Sequence, residues 1–325
     1  MQDEPEPIPI ELVGPEPPPW LLGRPIAWEP EPRSLRSLFA AIGLFTVTAL
    51  STLAAGAQFA AAYAANQSPG IDSFLSDYFR PFFEPRLLIS GIPFAVTLMG
   101  ILLAHELGHF FACRHYHISA TYPYFIPAPT LIGTLGAFIR IRSPIFNRRA
   151  LFDMALAGPL VGFLIAVPAL ASAILFSKVV TATDASSSFV FGQSLVERLL
   201  ELLLRPGVSH AHLLLHPVGR AAWVGLFATA LNLLPAGQLD GGHILYALAS
   251  DQHRRTSFAV AILLVPLAIK FWAGWLVWAV LLVAIGFRHP PLIDRWEPLD
   301  RTRRILSGVA LAMFVLCFMP APFVL

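Results

Sequence analysis

His105 and His109 stand four residues apart, with Glu106 between them. On an α-helix this spacing places both imidazoles on one face, where they can bind one Zn²⁺ while the glutamate activates a bound water. The three residues lie inside an apolar stretch, Leu87 to Ala112, that is long enough to cross a bilayer. Charged and metal-binding groups are costly in hydrocarbon and are functional by default there. The pattern therefore predicts zinc-dependent hydrolysis within the membrane.

The predicted zinc needs a third protein ligand, because a catalytic zinc usually has three such ligands and one water. Two aspartates are candidates: Asp153, near the start of a later apolar segment, and Asp240, in a stretch broken by proline and glycine. Irregular backbone at membrane depth is tolerated only where it lines a cavity or is buried in protein, so an aspartate there suits a cation or a proton. The structural alternatives are a helix N-cap for Asp240 and an acidic residue at a helix N-terminus for Asp153.

Two motifs together carry a family resemblance. The intramembrane His-Glu-x-x-His is followed more than a hundred residues later by Asn-x-x-Pro at residues 232–235 and by Leu-Asp-Gly at residues 239–241. Over residues 87–291 this arrangement resembles the site-2 protease family of intramembrane zinc metalloproteases. Many members have Asn-Pro-Asp-Gly at the second motif. This chain has Gln-Leu-Asp-Gly, which matches the family's other common form. The difference concerns the subgroup to which the chain belongs, and not the identity of the metal ligand.

The resemblance implies a complete active site. It implies that His105, His109 and Asp240 are the ligands of one Zn²⁺ per chain and that Glu106 is the general base. It also implies that Asn232 contacts the scissile carbonyl or its oxyanion. The activity implied is that of a zinc metalloendopeptidase in regulated intramembrane proteolysis. Its substrates would be membrane proteins cleaved in or near their transmembrane segments.

The composition of the whole chain is that of a membrane protein. Of 325 residues, 56% are apolar and 13% are charged, whereas soluble proteins are about half apolar and a quarter charged. The net charge of +2 gives no reason to expect a nucleic-acid partner. The two cysteines stand far apart in apolar surroundings and define no disulfide framework. The lipid bilayer is therefore the expected environment.

The apolar segments predict an all-α polytopic membrane protein, because about twenty apolar residues span the hydrocarbon core. The stretch 258–287 is too long for one span, and a turn near 270–275 would divide it into two. With these two spans, the chain has about seven transmembrane helices. With a cytoplasmic N-terminus, the arginine-rich segment 288–304 then lies inside, as the positive-inside rule requires. The predicted segments are Leu38–Ala65, Leu87–Ala112, Ala150–Phe176, Arg220–Leu234 with its continuation to Ala249, the two parts of 258–287, and Leu306–Leu325.

Residues 1–36 differ from the rest of the chain. They hold ten prolines and seven acidic residues without an apolar core, so they match neither a signal peptide nor a transit peptide. We expect a disordered, Pro/Glu-rich cytoplasmic tail, followed by an integral membrane protease domain over residues 37–325 with its catalytic core within residues 87–250. The lack of a transit signature favours a bacterial plasma membrane. No insertion resembles a PDZ module, and the outer loop, 178–217, is below the size at which a domain normally folds unaided.

The segment between the second and third predicted spans has a strand pattern. From Thr134 to Arg142, apolar residues alternate with others, which indicates a β-strand. A transmembrane substrate must unwind before hydrolysis, because its amides are hydrogen-bonded within its own helix. A small membrane-associated strand that pairs with the unwound substrate is one hypothesis. An ordinary cytoplasmic hairpin is the other, and the pattern alone does not separate them.

A different class of function also fits part of the pattern. Polar groups and broken helices at mid-membrane mark ion pathways. The alternative is therefore a membrane metal-ion transporter, or a metal-binding membrane protein without protease activity. Glu106 argues against this alternative, because a transport site has no need of a base at that spacing.

Two further groups of residues, glycines in a predicted span and histidines in the outer loop, have a recognisable spacing. Gly158 and Gly162 in the third predicted span fit close helix packing rather than chemistry. His210, His212 and His216 fall in the outer loop. They are either a low-affinity metal tract or part of an interfacial amphipathic segment.

Overall fold

The structure is a computed structural model that describes residues 35–67, 77–180, 190–287, 289–290, 292–294 and 298–324. All but the last two residues of the predicted tail, 1–36, lie outside the described residues. The described chain is mostly helical. Its helices are α1 (Leu35–Ala64), α2 (Pro85–Ser90), α3 (Ile92–His115), α4 (Arg148–Phe176), α5 (Leu195–Leu204), α6 (Pro217–Asn232), α7 (Asp240–Lys270), α8 (Gly274–Ile285) and α9 (Arg301–Cys317).

The strands of the described residues form two-stranded antiparallel sheets. The first sheet lies between α3 and α4 along the chain, where the sequence predicts a small β element. The pairs are β1 (Tyr124–Pro127) with β2 (Thr134–Phe138), β3 (Lys178–Val179) with β5 (Leu213–Leu214), and β4 (Val190–Phe191) with β6 (Phe323–Val324).

Three of the described helices, α1, α3 and α4, are long and apolar enough to cross a membrane. The prediction of a helical membrane protein is therefore confirmed. The stretch 258–287 is divided between two helices, since α7 ends at Lys270 and α8 begins at Gly274. The backbone of α7 is also kinked at Ala249.

The last predicted segment, Leu306–Leu325, is not one continuous helix. α9 ends at Cys317, and the chain then passes Pro320 and Pro322 before it enters β6. Proline lacks the amide hydrogen that a helix needs, and its ring clashes with the preceding turn. In β6, Phe323 pairs with Phe191 of β4. The helical prediction for residues 318–324 is therefore wrong.

α3 is held between α4 and α6 at glycine contacts. A Cβ on Gly108 of α3 would lie 2.5 Å from the carbonyl oxygen of Ala157 in α4. A Cβ on Gly225 of α6 would lie 2.8 Å from a side-chain carbon of Ile101 in α3. Small residues allow such close approach of helices in a membrane. The apolar core surrounds this contact and includes Phe94, Leu98, Leu170, Ala222 and Leu226.

The strand predicted over residues 134–142 is shorter in the structure. β2 ends at Phe138, and pairing resumes only as an isolated bridge between Ala120 and Ile141. Gly136 has a φ of +101°, a conformation that residues with a side chain rarely adopt. A strict alternation of side chains therefore does not extend through β2 and the residues that follow it.

Candidate metal centre

The predicted ligands meet at one point. His105 and His109 lie one turn apart on α3, and Asp240 is the first residue of α7. The Nε2 atoms of the two histidines are 3.1 Å apart. The Oδ2 atom of Asp240 lies 3.3 Å from Nε2 of His105 and 3.4 Å from Nε2 of His109. Three potential ligand atoms from two distant segments therefore form a nearly equilateral triangle.

This triangle has the size that a tetrahedral metal requires. With metal–ligand distances of about 2.0–2.1 Å, the ligand atoms of a tetrahedral zinc site are about 3.3–3.4 Å apart. Two imidazoles and one carboxylate are also a donor set that zinc accepts at sites with an open fourth position. The group is shielded from solvent, since His105 is only 5% exposed. The residues present therefore fit a zinc ion.

Contacts from α4 orient the imidazole of His109. Its Nδ1–H donates to the carbonyl oxygen of Met154 at 2.7 Å, which leaves the lone pair on Nε2 for a metal. Gly158 lies against the ring, because a Cβ there would be 2.1 Å from Nε2 of His109. The contact at Gly162 is looser, since a Cβ would lie 3.3 Å from Nδ1 of His105. Gly158 thus makes room for a predicted ligand, beyond the packing role that its sequence context indicates.

The segment between α6 and α7 fixes the position of Asp240. The backbone N–H of Gly237 donates to Oγ of Ser257 at 3.0 Å, and Nε2 of His253 donates to the carbonyl oxygen of Gly237 at 2.9 Å. A Cβ on Gly241 would lie 2.1 Å from the carbonyl oxygen of Leu233, so the turn packs directly against the start of α7. The N-cap residue of α7 is Leu239, so the alternative assignment of Asp240 as the N-cap is wrong.

Glu106 and Asn232 line the cleft that contains the triangle. Glu106 is 6% exposed, and Ile139, which directly follows β2, lines the same cleft. Asn232 ends α6, and its Nδ2 atom lies 3.2 Å from Nε2 of His105. The structure therefore brings all five predicted site residues into one cleft.

Asp153, the other candidate for the third ligand, has different partners. Its Oδ1 accepts a hydrogen bond from Nε of Arg303 at 2.8 Å, and its Oδ2 accepts one from the hydroxyl of Tyr116. These contacts connect α4 to the end of α3 and to α9. Asp153 does not belong to the group of potential ligands around His105. The ion pair with Arg303, rather than a metal or a helix terminus, accounts for this carboxylate.

The fold and the cleft define a helical membrane protein with a buried group of two histidines and an aspartate as candidate metal ligands. Residues 93–272 match peptidase family M50, and the chain belongs to this family. The resemblance to site-2 proteases that the two sequence motifs indicate is thereby confirmed.

Several relatives in this family are named as zinc metalloproteases. The chain is 34% identical over 243 residues to "Probable zinc metalloprotease EGY1, chloroplastic" of Arabidopsis thaliana, with 71% of this chain and 43% of that protein covered. It is 30% identical over 309 residues to "Probable zinc metalloprotease EGY2, chloroplastic" of the same plant, with 91% and 51% covered. For Rip3 of Mycobacterium tuberculosis, also named as a zinc metalloprotease, the identity is 27% over 229 residues, with 67% and 49% covered. The chain spans about half the length of these curated relatives.

Proposed function

We propose that this protein is an intramembrane zinc metalloprotease that hydrolyses peptide bonds in or near the transmembrane segments of membrane-protein substrates. The observation that carries the proposal is the triangle of His105, His109 and Asp240, with edges of 3.1, 3.3 and 3.4 Å. Membership in peptidase family M50 and the names of the relatives support it.

In this proposal His105, His109 and Asp240 hold one catalytic Zn²⁺. When bound, zinc polarises a peptide carbonyl and makes a water more acidic. Glu106 takes a proton from the attacking water at its carboxylate and delivers it to the leaving amine. The side-chain amide of Asn232 donates to the oxyanion that develops on the scissile carbonyl, a contact worth about 3 kcal/mol of barrier in comparable sites.

The substrate is proposed to bind as an extended segment beside β2. β1 pairs with β2 along one edge, and Ile139, directly after β2, lines the cleft that contains Glu106. A substrate strand added at the other edge would therefore bring its carbonyl groups to the base.

Ala137→Pro tests this substrate strand, because proline removes a backbone donor from β2. We expect a reduced rate of cleavage, by about tenfold or more, with an unchanged zinc content. Ala137→Ser keeps the backbone donor and serves as the control. Equal cleavage rates for the proline variant and the wild type would rule the strand out as the site of substrate binding.

The arrangement in the membrane is proposed from the helices and the charge distribution together. Seven spans are supported by the division of the stretch 258–287 between α7 and α8. A cytoplasmic N-terminus is supported by the positive-inside rule. Residues 37–325 would then form the membrane protease domain, preceded by the acidic tail. Tags placed at the two ends and probed in sealed vesicles test this orientation.

The bacterial plasma membrane is retained as the proposed location of this multi-pass protein. The similarity to Rip3 of Mycobacterium tuberculosis supports it, whereas the names of EGY1 and EGY2 describe them as chloroplastic. Fractionation of the source cells, followed by detection of the protein in purified membranes, distinguishes the two locations.

Glu106→Gln tests the function most directly, because it removes the base and keeps the ligands. We expect the zinc content of the purified variant to equal that of the wild type. Cleavage of single-span reporter proteins in proteoliposomes should fall by about 10²–10⁴-fold. Retained cleavage would contradict the role of Glu106. If zinc is bound while no reporter is cleaved by the wild type, and zinc instead crosses the vesicle membrane, the alternative of a metal-ion transporter is supported.

A further inference from the structure

A second group of metal-ligand residues lies outside the cleft. Glu197 and Glu201 stand four residues apart on α5, so their carboxylates share one face of that helix. His210 begins a short 3₁₀ helix, His210–His212, that precedes β5. One ligand atom from each of the three residues lies within 4.8 Å of the others. None of the three is among the candidate ligands of the first centre.

Two members of this group are already in contact. Nδ1 of His210 lies 2.9 Å from Oε1 of Glu201, and the amide of Gln193 donates to the other carboxylate oxygen of Glu201. Nε2 of Gln193 also lies 3.2 Å from Nδ1 of His210. Glu201 and His210 are therefore held close together before any further group binds.

Glu197 is the unusual member of the group. It is 0% exposed, and neither of its carboxylate oxygens accepts a hydrogen bond from any residue that the structure describes. A buried carboxylate without partners costs several kcal/mol and is normally paired, protonated or bound to a metal. The carboxylate lies beside the contact between His210 and Glu201, so one cation there would satisfy all three side chains.

A buried cation, Arg220, acts on Glu197 and Glu201 through its charge, but it donates no hydrogen bond to either oxygen of Glu197. Its guanidinium lies over the ring of Phe191, 4.2 Å from the ring centre. A proton is the competing occupant, because burial raises the pKa of Glu197 to about 7. The hydrogen bond to Glu201 likewise raises the pKa of His210. A divalent cation and a proton therefore compete for the same carboxylate.

We propose that Glu197, Glu201 and His210 form a second metal site for a first-row divalent cation such as Zn²⁺. One imidazole and two carboxylates are donors that Zn²⁺ accepts, with the fourth position left for water. A metal bound there would connect α5 to the turn that precedes β5 and α6. It would thereby stabilise the position of the outer loop relative to α6, the helix that ends at Asn232. This proposal is independent of the proposed protease function.

Metal counting on the purified full-length protein tests the second site. The protein is stripped with a chelator, reloaded with Zn²⁺, desalted and analysed for zinc by mass spectrometry. The wild type should hold one more zinc per chain than Glu197→Gln, and Asp240→Ala should likewise hold one fewer than the wild type. The double variant should hold none. Glutamine has the size of glutamate without its charge, so we expect the Glu197→Gln variant to fold.

His212→Ala is the matched control, because His212 lies in the same 3₁₀ helix with an exposed side chain outside the ligand group. It should retain as much zinc as the wild type. Equal zinc in the wild type and in Glu197→Gln would overturn the second site, and loss of zinc in His212→Ala would show an adventitious surface tract instead. If only Asp240→Ala keeps full zinc, the first ligand assignment fails and the second site stands.

Cobalt provides a second readout if Glu197→Gln does not purify as a folded protein. Co²⁺ added to the stripped Asp240→Ala protein should give the visible absorption of a four-coordinate site. His210→Ala in the same background should abolish that absorption, and His212→Ala should not change it. Absorption that persists in the His210→Ala protein would overturn the assignment of His210.

Discussion

The two groups of proposed metal ligands in this chain differ in how their atoms are brought together. The first draws its ligands from α3 and α7, far apart in the sequence, and its ligand atoms lie 3.1–3.4 Å from one another. The second lies within residues 197–210, on one helix and the turn that follows it. The first therefore depends on the packing of the whole helical core, whereas the second depends mainly on local structure.

The orienting hydrogen bonds differ as well. At the first group, Nδ1 of His109 binds the carbonyl oxygen of Met154, and Nε2 faces the other two ligand atoms. At the second, Nδ1 of His210 is itself in contact with Glu201. A metal that binds through this nitrogen must displace that contact, just as a metal at the first group must displace the contacts of the two Nε2 atoms with Asp240. We therefore expect the second site to bind zinc more weakly and to compete with protons, because only at the first does a contact from outside the group fix the ring of a histidine ligand.

Asp240→Ala should have the largest effect and should separate the two groups. It removes one of the three proposed ligands of the first group and leaves the second unchanged. We expect zinc to be lost from the first group and cleavage to fall by about 10³-fold or more, the equivalent of several kcal/mol of transition-state stabilisation. Zinc content and reporter cleavage measure both effects. Asp251→Ala, an exposed position on the same helix, is the control, and full zinc in Asp240→Ala would contradict the assignment.

Gly158→Ala should have a smaller effect, confined to the first group. The added methyl would lie 2.1 Å from Nε2 of His109, so the ring has to move from its position in the triangle. A displaced orienting contact lowers metal affinity by about 10–100-fold. Competition with a zinc chelator measures the change. Gly162→Ala is the matched control, because its methyl would meet His105 only at 3.3 Å. Equal affinities in the two variants would show that the contact at Gly158 is not needed.

The same comparison explains which parts of the site the sequence predicted. The spacing of His105 and His109, and the proline and glycine around Asp240, are local patterns that report the chemistry directly. The contact of Gly158 with His109 depends on how α3 crosses α4, which no local pattern records. The burial of Glu197 likewise depends on the packing of α5, which no local pattern in that loop records.

The fold, too, was predictable from the sequence where local patterns determine it, and not where tertiary contacts do. Apolar length predicted the helices that become α1, α3 and α4, and the turn between α7 and α8. It did not predict that the chain leaves the helix after Cys317. The prolines at 320 and 322 are a local signal for that change, but the pairing of β6 with β4 is a tertiary contact. Hydrophobicity alone does not distinguish a spanning helix from a buried strand.

The smallest expected effect is the pH dependence of stability, and it tests the second group. Burial raises the pKa of Glu197 from 4.5 to about 7, and the hydrogen bond to Glu201 raises the pKa of His210 above 6.5. The folded, metal-free protein therefore holds protons that the unfolded chain releases. Its stability should fall as the pH rises through this window.

Zinc should reverse this trend, because metal binding requires deprotonated ligands and strengthens as the pH rises. We expect the apparent unfolding temperature of metal-free protein to fall by on the order of 5 °C between about pH 5 and pH 8. The difference between zinc-loaded and metal-free protein should widen over the same range. Measurements in the Asp240→Ala background exclude the first group. The slope should be weaker in Glu197→Gln, where the titrating carboxylate is absent, and an identical slope in that variant would assign the pH dependence to other groups.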